Sequence, residues 1–324
     1  MAKPLTKRRV SPALVLFLMG AGAVMCIVLF LTLGARGSWS FVLPYRGMRL
    51  AALVIVAAAV SISTVLFQTV TNNRILTPSI MGFDSLFVLI QTCILFFFGA
   101  IALSGLDPRL LFLVQVAVMA GFSILLYRLL FSGGMRSLHL MLLVGVVFGV
   151  FFRSLSGLMQ RLMDPNEFVV LQDRLFASFN TVDPQLLGIA AIALAVVSLF
   201  ALRNLPVLDV LALGRDASIG LGVDHRRAVR GVLLCVALLV ATSTALVGPV
   251  TFFGLLVANL AYLAMPSHRH RHVVPAAVLI SIICLVGGQM IVERLFAFDT
   301  ALSIVIEFAG GIMFIIMLLR GAAR

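Results

Sequence analysis

Residues 211–227 read LALGRDASIGLGVDHRR, the longest polar, two-signed stretch in the second half of a chain that is 62% hydrophobic and only 11% charged. A soluble domain carries roughly 25% charged residues. On both sides of this stretch lie apolar runs of about 20 residues, the length that crosses a bilayer core. Ten such runs recur, at roughly 13–33, 50–70, 84–103, 110–131, 138–161, 186–202, 230–248, 250–265, 273–292 and 301–319. Gly248-Pro249 separates the seventh from the eighth. Long runs without alternation exclude a β-barrel. The fold class is therefore all-α: a polytopic integral membrane protein with about ten transmembrane helices, forming a single transmembrane domain over residues 1–324.

Local signals mark where helices begin. Thr77-Pro78, Asp107-Pro108 and Asp183-Pro184 each set a capping residue before a proline, which the first helical turn tolerates. The basic start MAKPLTKRRV precedes an apolar run too long for the core of a signal peptide, and reads as an uncleaved first helix.

Cations give the orientation. Ten spans put both ends on one side, with Lys3, Lys7, Arg8, Arg9, Arg74, Arg128, Arg136, Arg203, Arg215, Arg226, Arg227, Arg230, Arg269, Arg271, Arg320 and Arg324. The other side holds Arg36, Arg46, Arg49, Arg109, Arg161, Arg174 and Arg294, while Arg153 lies within a span. Sixteen against seven places both termini in the cytoplasm. The net charge of +12 is then a consequence of topology, and no nucleic-acid partner is expected. Residues of about 204–229 become a cytoplasmic loop. Those of about 164–185, with aromatic and apolar content, become a helical segment on the outer face.

Several chemistries are excluded. The only lysines are Lys3 and Lys7, so there is no Walker A motif and no nucleotide site of that kind. Neither H-E-x-x-H nor G-x-S-x-G occurs. Cys26, Cys93, Cys235 and Cys284 sit singly inside apolar runs and read as small buried hydrophobes. His268, His270 and His272 alternate with arginines that oppose a bound cation, and read as a solvated basic turn rather than a metal site. No catalytic residues and no bound cofactor are expected.

Polarity inside the spans is where function is sought, because it is costly in lipid. Ser61, Thr64, Gln68 and Asn72 share one face of the second span. Arg153, Ser156, Gly157 and Gln160 do the same in the fifth. Hydrogen bonding between helices is the competing reading for the hydroxyls. For Arg153 a water-filled path is expected, opposite or near Thr64 and Gln68.

These residues carry a resemblance. Arg46-Gly47-Met48-Arg49 is similar to the R-x-P-R entry to the second span in permease subunits of the bacterial iron-chelate and cobalamin ABC importers, with Met for Pro. FQTVTNNRILTPSIMG keeps Gln68, Asn73, Pro78 and Gly82 of the next family motif. GPVTFFGLLVANLAY resembles the late G-P-I-G-F-x-G-L-x-x-P-H motif, with Thr251 for Gly and Ala258-Asn259 for Pro-His. Those departures, with MQRLMDPNEFVVLQDRLFASFN, look like the branch serving catecholate-type siderophores.

The resemblance spans nearly the whole chain and gives the opening stretch a role. It implies two short helices docking a cytoplasmic ATPase dimer through Ala212, Leu213, Gly214, Arg215, Asp216, Ala217, Leu221 and Gly222. The glycines would permit tight reversals, Asp216 would cap the second helix, and the apolar residues would fill a partner's groove. It further implies a second permease subunit, identical or paralogous, and a periplasmic or lipoprotein siderophore-binding protein docked on Arg46, Arg49 and Arg294. ATP and magnesium would be held by the ATPase, and the chain would reside in the bacterial inner membrane. The translocation path would comprise Thr64, Gln68, Asn72, Arg153, Ser156 and Gln160. Haem or cobalamin are alternative cargoes. An ion-coupled secondary transporter is a rival class, opposed by the scarcity of carboxylates within the spans, where only Asp84 and Glu307 stand, near span ends.

Overall fold

The computed structural model describes residues 11–34, 38–131, 138–175, 179, 183–295 and 302–322. Lys3, Lys7, Arg8, Arg9, Arg36, Arg136 and Arg324, counted above for orientation, lie outside these residues. So do parts of the outer segment, 176–178 and 180–182.

The described chain is helical from end to end. In order come α1 (Pro12–Thr32), α2 (Trp39–Thr71), a 3-10 turn (Pro78–Met81), α3 (Phe83–Ser104), α4 (Pro108–Phe131), α5 (Leu138–Leu162) and α6 (Pro165–Leu175). Then follow α7 (Pro184–Arg203), α8 (Leu205–Leu211), α9 (Arg215–Gly220), α10 (His225–Val247), α11 (Phe253–Ala264), α12 (His270–Leu295) and α13 (Leu302–Ala322). Each of the ten apolar runs coincides with a helix. Eight of these are long and apolar enough to cross a membrane, and α11 and α13 are further apolar helices. With 12 residues, α11 is only about 18 Å long, short of a bilayer core of about 30 Å.

Two of the three proline-marked starts form as expected. Asp107 Oδ1 accepts from the Arg109 N–H, and Asp183 Oδ1 from the Gln185 N–H, both at 2.8 Å. Thr77 does not cap: its side chain makes no capping bond and it opens only the 3-10 turn, not a span.

The bundle is organised around α2 and α10, whose faces are the most continuously buried. They pack on each other, α2 also on α12 and α11, and α10 also on α4 and α7. A second seam joins α3 to α5. There the chain between α2 and α3 folds back into the bundle and the turn at Met81-Gly82 meets α5 at its glycines. A Cβ on Gly145 would lie 2.9 Å from Met81 Cα, and Gly82 itself needs φ 85°. Small residues at i and i+4 let the backbones approach this closely. At the other end of α3 the helix kinks at Gly99, and Glu167 of α6 accepts from the freed Ala100 N–H at 2.7 Å.

Contacts sort the helix ends into two sets. Arg46 and Arg294 meet the end of α1, and Arg109 meets Gln185. At the opposite end Arg74, Asp209, Arg269 and His270 line one pocket, while Arg128, Arg226, Arg227 and Arg230 line another. Each set holds cations that the charge count assigned to a single side.

Candidate functional site

Two short helices protrude at the second of these ends. Leu205-Pro206 starts α8, and Gly214, at φ 95°, turns the chain into α9. Gly222, at φ 83°, ends the unit, with its N–H donating to Ile219 O and that of Val223 to Ser218 O. Only glycine adopts such φ values without strain. Contrary to the expectation, Asp216 does not cap α9; Gly214 occupies the N-cap and Asp216 lies in the first turn.

The apolar side chains at this tip face outward. Leu213 is 63% exposed, Ile219 53% and Leu221 62%, with Ala212, Arg215, Asp216, Ala217 and Gly222 also exposed and Gly214 half-buried. Leucines on a soluble tip gain about 1.5–3 kcal/mol each when covered. Beneath them the unit is braced. Buried Ser218 bonds His225 Nδ1 at 2.8 Å, joining α9 to α10.

A second brace departs from the sequence expectation. His270 is no part of a solvated turn; it is buried. Asp209 of α8 accepts from the His270 backbone N–H at 2.8 Å and pairs with its Nδ1 at 2.6 Å, while Nε2 meets Thr69 Oγ1 of α2 at 2.7 Å. One imidazole thus links α8, α12 and α2. His272 Nδ1 pairs with Ser267 Oγ at 2.9 Å. Among the described residues no group of three or more metal-ligating side chains occurs.

The two polar stripes are not brought together. The main packing partners of α2 and α5 are different helices. Thr64 Oγ1 donates to Val60 O and packs against Gly254. Gln68 Nε2 and Asn259 Nδ2 both donate to Arg74 O, at 2.8 and 3.1 Å, pinning the chain that follows α2. Asn72 terminates α2 in the left-handed conformation, exposed and beside Gly214. On α5, Ser156 turns inward to Phe152 O, and Gln160 donates to Thr92 of α3 at 3.3 Å. Arg153 stays exposed at the edge of the α3–α5 seam, 3.5 Å from Ser85 Oγ. Its stripe straddles that seam: one flank packs and the other does not.

A polar constellation that the sequence reading passed over lies between these stripes. Thr251 Oγ1 donates to Asp84 Oδ2 at 2.8 Å, and Ser79 also bonds this carboxylate. Together with Thr64, Ser63, Ser243 and Thr244 they line a narrow cavity of about 20 Å³. Both Arg153 and Glu307 lie within coulombic range of Asp84. The departure of Thr251 from glycine was the available signal.

At the opposite end, Arg46 and Arg49 turn into the subunit, while Arg294 stays exposed. Arg46 donates to Phe30 O at 2.8 Å and Leu33 O at 2.9 Å, with further bonds to Leu31 O and Gly34 O. Arg294 also donates to Leu33 O. A helix C-terminus leaves its last carbonyls without intrahelical partners, and guanidinium donors satisfy them. Arg49 pairs with Glu293 at 3.4 Å and lies over the Tyr45 ring at 5.0 Å.

Comparison with known proteins follows this geometry. A model described as the FecCD transport family matches residues 9–320. The chain is 47% identical over 298 residues to the petrobactin import system permease protein YclO of Bacillus subtilis (strain 168), covering 92% of this chain and 94% of that protein. It is 40% identical over 282 residues to the petrobactin import system permease protein FatC of Bacillus anthracis, covering 87% and 80%. A solved metal-chelate type ABC transporter in an inward-facing conformation superimposes with a TM-score of 0.82, at 22% identity, over 95% of this chain and 99% of that one. That likeness is one of fold.

Proposed function

The chain belongs to the FecCD transport family, and on that premise we propose that it is the permease subunit of an ABC importer carrying a ferric siderophore across the bacterial inner membrane. The observation that carries this reading is the α8–α9 tip. A helix–glycine–helix unit with three exposed apolar side chains stands at one end of a membrane bundle, braced to α10, α12 and α2. A cytoplasmic ATPase dimer docks there, and its movement reaches the spans through the braces. Petrobactin in the names of YclO and FatC supports a siderophore as cargo.

The path runs along the α3, α5 and α13 side of the subunit. Arg153 and Glu307 are both exposed on it and both lie within coulombic range of Asp84. Charges exposed to lipid within a span cost several kcal/mol, so this face turns toward water and a second permease subunit. Arg153 supplies a cation to an anionic chelate in transit, and the Asp84–Thr251 pair behind it fixes the local polarity. On the outer side, a binding protein delivers the chelate near Arg46, Arg49 and Arg294, which hold the helix ends that form its landing surface.

Cells lacking this chain test the cargo. Uptake of radio-iron petrobactin is lost and the wild-type gene restores it. Undiminished uptake, with no other petrobactin permease present, refutes the cargo assignment.

A further inference from the structure

One cavity is used by none of this. It opens between the last turn of α4 and the first turns of α10, with a volume of about 630 Å³. Arg128, Arg226, Arg227 and Arg230 line it, against a single carboxylate, Asp224. Asp224 is engaged by Arg227 at 3.1 Å. Arg230 lies against the Tyr127 ring at 5.7 Å, an arrangement that orients the guanidinium. The wall beyond the arginines is apolar, and two of its members, Ile124 and Leu234, remain exposed.

Both helices are membrane spans, and the arginines occupy their ends. The groove therefore has cations at the membrane boundary and an oily wall running into the bilayer. A soluble anion would use only the first of these features; a phospholipid uses both. We propose that this groove binds an acidic phospholipid, its headgroup phosphate among Arg128, Arg226, Arg227 and Arg230 and its acyl chains against Ile124 and Leu234. The site lies in the leaflet on the side of α8 and α9. Basic pockets between spans recognise acidic headgroups in this way, each cation contributing roughly fivefold in affinity. The site depends on the chain crossing a membrane and is independent of cargo.

The test uses the purified full-length chain in mixed micelles with equimolar phosphatidylglycerol and phosphatidylethanolamine, read by native mass spectrometry. Phosphatidylglycerol is retained at least tenfold over phosphatidylethanolamine. Arg128→Ala with Arg230→Ala lowers that retention by roughly thirtyfold, two cations' worth, whereas Arg269→Ala leaves it unchanged. Arg128→Lys with Arg230→Lys keeps most of the retention, which separates lost charge from misfolding. Equal retention of the two lipids by the wild type overturns the proposal, as does full retention by the double alanine variant. Displacement of phosphatidylglycerol by millimolar inorganic phosphate overturns it too, reassigning the groove to soluble phosphoryl groups.

Discussion

Removing the link between Asp209 and His270 perturbs the connection from the α8–α9 tip to the bundle. The 2.6 Å contact joins a side chain only 4% exposed to a carboxylate 35% exposed. Hydrogen bonds to charged groups contribute about 1.5–3 kcal/mol, and partial exposure of Asp209 favours the lower half, about 1.5–2 kcal/mol. Asp209→Ala also forfeits the bond from the His270 backbone N–H at 2.8 Å, whereas His270→Ala forfeits the Thr69 bond. The two single variants therefore differ in total cost, and only a double-mutant cycle isolates the pair. Measured by unfolding in mixed detergent micelles, the cycle gives a coupling of about 1.5–2 kcal/mol, roughly a 10- to 30-fold change in the unfolding constant. Additive single effects, with coupling below about 0.5 kcal/mol, refute the reasoning and leave the Asp209–His270 contact without energetic weight.

Three further outcomes are expected. Gly145→Leu puts a side chain where a Cβ already falls 2.9 Å from Met81 Cα, a backbone atom that cannot swing aside, so size-exclusion of detergent extracts shows little folded protein, while Gly157→Leu, with open space around it, behaves as wild type. Arg153→Ala lowers uptake of an anionic ferric chelate several-fold without changing assembly with the ATPase, and Arg153→Lys restores only part because the planar five-donor fork is lost; impaired assembly in place of impaired uptake would make Arg153 structural. In intact spheroplasts an impermeant thiol reagent labels a cysteine at Asn166 and spares one at Ala217; the reverse pattern inverts the orientation derived from the cations.

What the sequence disclosed was whatever depends on neighbours along the chain. Apolar run length located the eight long apolar helices, Asp107 and Asp183 cap as their prolines imply, and of the two short helices that the family resemblance implied for 211–224, α9 lies within the stretch whereas α8 ends at its first residue. What it concealed depends on partners far away. Arg46 reads as a docking cation, and only the fold shows that it also satisfies the carbonyls at the end of α1. His270 lies in an arginine-rich run, yet is buried by Asp209 and Thr69, 61 and 201 residues distant. Helical periodicity gave Arg153, Ser156 and Gln160 a common face but not which helix covers it, and α3 covers most of it in place of α2. Thr251 stood out only as a departure from glycine and Asp84 only as a carboxylate near a span end; the fold makes them a pair.

The claim at the centre is that the α8–α9 tip docks an ATPase, and Leu213→Asp interrogates it with one side chain. Leu213 is 63% exposed in the isolated subunit, so the change costs the free chain little. In a packed interface it forfeits about 2 kcal/mol of apolar burial and buries a carboxylate besides, enough to reduce association by at least a hundredfold. The measurement is the amount of ATPase co-purifying with the tagged permease from membranes. The account predicts that the variant inserts at the wild-type level and brings down no ATPase. An undiminished ATPase yield with this variant would contradict it.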